Sequence, residues 1–343
     1  ETKPMLPVDG GLAPVGIEDS YMVMKVGLIP VKHEIDGRNC ADTPEVNEDL
    51  VNWMRDQLYM QNPVDSIEIE VQDPITYQGS MKSFSPLLSQ LSQLRTERDT
   101  PPETYLYGLV KPCDGGADGV GGQAFGIPQN VTKGSAYQRV SMGRLYTSIS
   151  STAETFVHEV GHCQGRFHIA CNGTEAGTDQ TYPYDGGDIG GYGFGILNWT
   201  VHPPSNHDYM TYCGNTWVSD WGWNKVFPVI QTLSSWDFED EAAPEMGTLL
   251  VGALYPDGTE DWWTTPGYLD GEVFSDVHQL ELRDENGVLA TLPATYNKRP
   301  DDETINVAVQ LPDDLGDFTA IDRIAEEGAR HPVNFERIKW LTN

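Results

Sequence analysis

His158, Glu159, His162 and His168 carry the chemistry most plainly written in this chain, within the string T-F-V-H-E-V-G-H-C-Q-G-R-F-H from Thr155 to His168. His158 and His162 stand four residues apart, so on a helix both imidazoles project from one face, one turn from each other. Glu159 follows the first histidine and lies beside the same site without having to be a ligand. Gly165 can take the backbone out of the helix, and the turn it permits brings His168 round as a third nitrogen donor. Three neutral imidazoles with an open fourth position describe a catalytic zinc centre, whereas a structural zinc site closes all four positions. The bland alternative is an amphipathic helix with solvated histidines. A glycine and a third histidine in register make that a poor account of the string.

The ligands need a helix to hold them and strands to hold the helix. Ser151 and Glu154 fit a capping box, which would start the helix about two turns before His158. Upstream, Tyr21 to Val31 is an apolar run of strand length. Thr43 then offers an N-cap with Pro44 at the first helical position, and Val46, Leu50, Trp53, Met54 and Leu58 follow at helical spacing. Ile67, Ile69 and Val71 alternate with glutamates as a strand, a second helix carries Leu87, Leu88, Leu91 and Leu94, and Thr104 to Val110 returns to strand. This alternation predicts a largely parallel sheet with crossover helices. The glycine-rich stretch Asp114 to Gly126 lacks the G-K-[ST] of a phosphate loop and is read as a loop entering a short edge strand, Gly122 to Gly126. Arg139 to Leu145 is the last strand before the zinc helix. Ser219 and Asp220 can cap a helix running through Trp223, Phe227 and Ile230.

The string fits H-E-x-x-H-x-x-G-x-x-H, and His207-Asp208-Tyr209-Met210-Thr211-Tyr212-Cys213-Gly214 supplies a methionine turn downstream. On these residues the chain resembles the metzincin zinc metallopeptidases. G-R-F-H-x-x-C ending at Cys171, T-Y-P-Y-D-G-G-D-I-G-G-Y-G from Thr181 to Gly193, and M-T-Y-C followed by W-V-S-D-W make it similar to their secreted StcE-like mucinase branch. The resemblance implies an α+β fold. A metzincin catalytic domain would have a twisted, mostly parallel sheet with an antiparallel edge strand, a zinc helix and a Met-turn, and a small β-sandwich would follow. It implies zinc on His158, His162 and His168, Glu159 as general base, and Met210 packed beneath the metal. Tyr212 would swing to stabilise the oxyanion, with a packed aromatic as the plainer reading. The edge strand at Gln123, Ala124 and Phe125 would bind substrate main chain to main chain. The long segment from Ile169 to Tyr209 would wall the substrate pocket.

Five cysteines, Cys40, Cys113, Cys163, Cys171 and Cys213, leave one unpaired if the rest form bridges. Cys171 follows the third ligand and Cys213 follows the Met-turn, so a Cys171–Cys213 bridge is the first choice. Cys40 and Cys113 each follow a predicted strand and could meet if those strands are parallel neighbours; Cys163, inside the zinc helix, is expected to be a buried thiol. Two bridges suit an oxidising, extracellular setting. Asp185 and Asp188 could hold a structural calcium, although ordinary turn chemistry is the preferred reading.

With 343 residues and a formal charge of −31, the chain has room for two domains and repels polyanions, which argues against nucleic acid as a partner. No apolar run is long enough to span a bilayer. The sequence begins at Glu1 without a signal peptide, as a trimmed secreted chain would. Residues 1–20 read as an extended lead-in and 21–240 as the catalytic domain, with E-D-E-A-A-P (Glu239 to Pro244) as the linker. Residues 245–343 carry β-type runs at Thr248 to Leu254, His278 to Leu282, Val288 to Leu292 and Thr304 to Leu311, predicting an immunoglobulin-like sandwich.

The expected function is a monomeric secreted zinc endopeptidase acting on a protein or glycoprotein substrate, mucin-like by the resemblance. Against sialylated substrates stands the negative charge, unless Arg144 and Arg166 offset it locally; Arg166 could equally be a structural ion-pair partner. The alternatives are a catalytically silent adhesin or glycoprotein-binding protein that keeps the fold, and a zinc amidase acting on a non-peptide bond.

Overall fold

The run of apolar residues after Tyr21 forms an eleven-residue strand, β1 (Val23–His33), and its period of two decides how the molecule is layered. Met24, Val26 and Leu28 enter one core while Ile29 and Val31 enter another on the opposite face. A strand buried on both faces must have cover on both, which is the condition for a parallel sheet. Each fully buried Leu, Ile or Met side chain contributes roughly 1.5–3 kcal/mol to holding those layers together.

The computed structural model describes residues 21–35, 43–117, 119–171, 173, 175–238, 246–313 and 318–340. The expected lead-in, the expected linker and Cys40 lie outside these residues. After β1 come α1 (Glu48–Gln61), β2 (Ser66–Val71), β3 (Ile75–Tyr77), α2 (Ser85–Glu97), β4 (Tyr105–Val110), β5 (Gly122–Ala124), β6 (Val140–Arg144) and α3 (Ile149–Cys163). They form a sheet of order β2-β1-β4-β6-β5, with β3 also paired to β1. The β1, β2, β4 and β6 pairings are parallel and β5 runs antiparallel to β6, as the alternation of runs predicts. Residues of α1 and α3 pack on one face, and α2 on the other.

Two expected helix starts are corrected. Asn47, not Thr43, caps α1, its Oδ1 accepting the Leu50 N–H at 3.0 Å. Ser148, not Ser151, caps α3, accepting the Ser151 N–H at 3.3 Å, so the helix that carries His158 and His162 begins at Ile149. Asn and Ser are strong caps wherever they fall in a polar run, and the backbone bend chooses among them.

Past α3 the chain forms two small paired units, β7 (Gly193–Gly195) with β8 (Thr200–His202) and β9 (His207–Asp208) with β10 (Thr216–Trp217), and then α4 (Asp220–Ser235). Ser219 caps α4 as expected, its hydroxyl accepting the Gly222 N–H at 2.9 Å. Val226, Ile230 and Leu233 of α4 join the core under α1 and α3.

The remaining strands are β11 (Thr248–Leu254), β12 (Glu260–Pro266), β13 (Phe274–Asp284), β14 (Gly287–Lys298), β15 (Ile305–Leu311), β16 (Ala320–Ile324) and β17 (Arg330–Val333). A sandwich of two sheets is the expectation here. They instead make one antiparallel sheet of seven strands, in the order β12-β11-β15-β14-β13-β16-β17. The join is β14: Gly287 to Pro293 pairs with β13, while Thr295 to Lys298 pairs with β15. The sheet rolls about that long strand, so Leu250, Val307 and Val309 meet Leu280, Leu282 and Ile321 in an enclosed core. The opposite face is apolar too. Leu249, Val251, Ala253, Trp263 and Ala308 pack with α2, Phe125, Val140 and Met142 as one continuous core.

Candidate metal centre and cleft

The centre is assembled from the end of α3 and the turn that follows it. Gly165 adopts φ +84°, and a Cβ there would come within 2.6 Å of the Pro128 carbonyl, so glycine is required both for the turn and for the space. The Arg166 N–H closes the turn on the Gly161 carbonyl at 3.1 Å, and His168 returns beneath the helix.

Each histidine is oriented by a backbone carbonyl. Nδ1 of His158 donates to Tyr209 O at 2.8 Å, Nδ1 of His162 to Arg166 O at 2.7 Å, and Nδ1 of His168 to Ala176 O at 2.8 Å. A carbonyl can only accept, so each ring carries its proton on Nδ1 and turns a bare Nε2 lone pair inward. The donor atoms of the three rings lie within 4.8 Å of one another, and Nε2 of His162 and His168 are 3.1 Å apart. Two lone pairs held that close repel each other unless a cation lies between them. Burial, and then the neighbouring imidazoles, lowers His158 and His162 to about 3, so neither ring supplies that cation by protonation. The residues present therefore fit a bound metal ion.

Glu159 is 5% exposed, and its Oε2 has no hydrogen-bond partner. Burial first, and then the charge of Asp301, pushes its carboxyl well above the ordinary range. Gly122 of the edge strand lies against it, where a Cβ would meet Glu159 Cγ at 2.6 Å. The Tyr212 hydroxyl lies 3.1 Å from His168 Nε2 on a ring that is half exposed, and burial of the hydroxyl followed by Asp301 raises its pKa. Met210 is fully buried beneath α3, and Gly161 makes room for it: a Cβ there would meet Met210 Sδ at 2.6 Å.

Sequence reasoning missed the residue that joins these pieces. Asp208 is fully buried and accepts from Arg166 Nη2 at 3.1 Å, from Met210 N at 2.9 Å and from Ser219 Oγ at 2.5 Å. It thus ties the turn after the second histidine, the methionine turn and the cap of α4. Arg166 is the structural ion-pair partner that one reading of the sequence allowed. Arg144 is also turned away from the histidines, its guanidinium donating to Ala117 O and lying over the Phe84 ring.

The expected Cys171–Cys213 bridge forms and pins the loop after His168 to the methionine turn. Cys163 is a buried free thiol, pushed up to about 12, with burial the main cause. Cys113 is disulfide-bonded, while Cys40, its expected partner, lies outside the described residues. Asp185 and Asp188 flank a tight turn closed by Asp188 N–H to Asp185 O at 3.3 Å, which is the preferred turn reading.

A cleft of about 960 Å³ opens over the histidines. Its walls are Gly119 to Gly122, the segment from Thr200 to Pro203 and the methionine turn from Thr211 to Thr216, with Pro300 and Asp301 reaching in from the C-terminal sheet. Gln123, Ala124 and Phe125, expected to hold substrate, are instead buried. Gly121 O and Phe125 N–H are turned toward β6, so Gly122 and Ala124 carry the outward backbone groups. Arg299 Nη1 already reaches Ala124 O at 3.4 Å, and Asn306 Nδ2 donates to Phe125 O at 2.6 Å. The part of the edge that faces the cleft is Gly122. The sequence contains no signal for this displacement, because the capping groups, Arg299 after β14 and Asn306 in β15, lie far along the chain.

No protein-family model and no curated protein matches the chain. Among solved structures, it is similar to a chain from a chaperone–substrate complex, with 15% sequence identity and a TM-score of 0.33, over 63% of this chain and 35% of that one. The chain therefore spans about a third of that protein's length, and a likeness this slight carries no argument about fold or function. Among the described residues no helix is long and apolar enough to cross a membrane.

Proposed function

We propose that the protein is a secreted zinc endopeptidase of the metzincin type. The observation that carries this reading is the convergence of three Nε2 lone pairs beside a buried, unpartnered Glu159 carboxylate at the floor of an open cleft. Zinc held by His158, His162 and His168 supplies a Lewis acid that polarises a peptide carbonyl and acidifies a water. The choice of zinc follows from an all-imidazole donor set with an open position. Glu159 takes the proton of the attacking water on a carboxylate oxygen and delivers it to the leaving nitrogen. Its low-dielectric surroundings favour this exchange, because a carboxylate whose proton affinity is raised is the stronger base. Tyr212 donates its hydroxyl proton toward the oxyanion that develops on the carbonyl, from a ring free enough to adjust. Gly122 lays its backbone along the extended peptide in the manner of an added strand.

The Cys171–Cys213 bridge supports an oxidising, extracellular setting. The preserved Glu159 speaks against a silent binding protein, which would have no need of the base. The cleft is open enough for decorated, mucin-like chains, but Arg144 and Arg166 lie away from it, so charge compensation for sialylated glycans is not part of the reading.

The test is a digest of a denatured protein by the purified chain, with metal content measured in parallel. One zinc per chain, proteolysis abolished by a chelator, and recovery on adding zinc are expected. A metal-loaded protein that cuts no peptide bond would overturn the proposal.

A further inference from the structure

Helix α3 lays one stripe of side chains against the parallel sheet. Thr155, Glu159 and Cys163 recur every four residues and so share a face of the helix. Beneath Glu159 two glycines stand directly opposite each other, Gly122 in β5 and Gly143 in β6. The next pair along is closed by Arg144 N–H on Gly121 O, so Gly122 and Gly143 form the kind of pair without its own hydrogen bonds. Facing Cβ positions in such a pair are only about 4.5–5.5 Å apart. A polar side chain occupies each of them. A Cβ on Gly122 would lie 2.8 Å from Glu159 Oε1, and one on Gly143 would lie 2.0 Å from the Tyr107 hydroxyl and 3.1 Å from Thr155 Cγ2. Carboxyl and hydroxyl therefore share one gap between helix and sheet.

Tyr107 reaches this gap from β4, where it pairs with Ser141, two residues before Gly143. Its ring stands edge-on to Phe156 of α3, with centroids 4.8 Å apart. The residue is fully buried, and its hydroxyl has no hydrogen-bond partner among the described residues. Glu159 Oε2 is buried and unpartnered in the same way. A hydroxyl can donate and a carboxylate can only accept, so each of these atoms is what the other lacks. Burial, and then the charge of Glu159, raises the pKa of Tyr107, in keeping with their closeness. Hydrogen bonds that serve a reacting group are often long until the site is filled, and then close.

Resting on the peptidase reading, we propose that Tyr107 is a positioning residue whose hydroxyl donates to Glu159 Oε2 in the metal-loaded site. The bond fixes the plane of the carboxyl group. It leaves Oε1, beside Gly122 of the cleft wall, to take the proton of the attacking water. Tyr107 acts on the reaction through Glu159 alone.

The test is Tyr107→Phe in the full-length, zinc-loaded protein, a change that removes one oxygen and keeps the ring on Phe156. Zinc content should be unchanged, and the metal-free protein should melt no lower, because the hydroxyl it loses has no partner. The expected kcat is lower by roughly tenfold, the low end for a hydrogen bond to a charged group, with KM nearly unchanged. In a Glu159→Ala background the same change should leave the residual kcat as it is. A second arm needs no turnover. Fluorotyrosine is placed at Tyr107, and its fluorine resonance is followed as zinc is added to the metal-free protein. The resonance should move, and should move much less in Glu159→Ala. An unchanged kcat in Tyr107→Phe, a loss that persists without Glu159, or a fluorine shift equal in the two proteins overturns the proposal. If Tyr107→Phe does not fold, the fluorine arm decides alone. A Glu159-dependent shift in a protein that cuts no peptide upholds the assignment and sinks the peptidase. Cleavage without such a shift does the reverse.

Discussion

Glu159 is a residue whose local environment opposes folding and, in the proposed reading, favours chemistry. A buried carboxyl oxygen without a partner costs about 1–3 kcal/mol, and evolution tolerates such a cost where the group has work to do. Glu159→Ala is therefore expected to melt no lower than the wild type while kcat falls on the order of a hundredfold or more. A variant that keeps a tenth of wild-type kcat would show that another group takes the proton. Tyr212 makes a contrasting case, because its hydroxyl is proposed to act only as charge develops. Tyr212→Phe should lower kcat through a barrier about 2.7–4 kcal/mol higher and leave KM nearly unchanged. Steady-state kinetics decide it, since a loss confined to KM would make the ring a wall of the cleft and nothing more.

At the scale of elements, the site depends on three segments being clamped together by one carboxylate. Asp208 and Arg166 are 0% and 2% exposed, so removing one charge strands the other in a dry interior. Asp208→Asn is expected to cost about 3–5 kcal/mol in chemical denaturation, with zinc affinity falling along with it. A change below 1 kcal/mol would mean that the Ser219 and Met210 contacts hold the turn without the charge. This clamp also shows what can be read from sequence. The ligand string was legible because its geometry is local: four residues of helix and one left-handed glycine fix where three imidazoles point. The parallel sheet was legible because strand-length runs, from Tyr21–Val31 to Thr104–Val110, take turns with helical ones. Helix starts were misplaced at Thr43 and Ser151 because Asn47 and Ser148 offer equally good side chains nearby, and only the bend of the chain selects one. Strand β12 escaped notice because E-D-W-W-T-T-P has no clean alternation: four consecutive residues are buried, and Trp262 and Trp263 enter different cores. Asp208 and Asp301 could not be found at all, since their partners are set by topology rather than spacing.

At the scale of the whole molecule, the C-terminal sheet is part of the site and cannot be treated as an appendage. Its outer face completes the core over α2, its loop supplies Asp301, and Arg299 and Asn306 cover the end of β5. That last feature has a consequence for the chain on its own. A sheet edge with unpaired backbone groups is a template on which other chains add, and proteins that keep such edges must shield them. With residues 246–343 deleted, the carbonyls of Ala124 and Phe125 lose their side-chain caps, and Phe125, Val140 and Met142 lose their apolar cover. The shortened protein is expected to self-associate through this edge, appearing by light scattering as oligomers that grow with concentration. A truncated chain that stays monomeric at tens of micromolar would show that the edge is guarded from within its own sheet. The expectation is the opposite: the strands that complete the cleft also keep the molecule from polymerising.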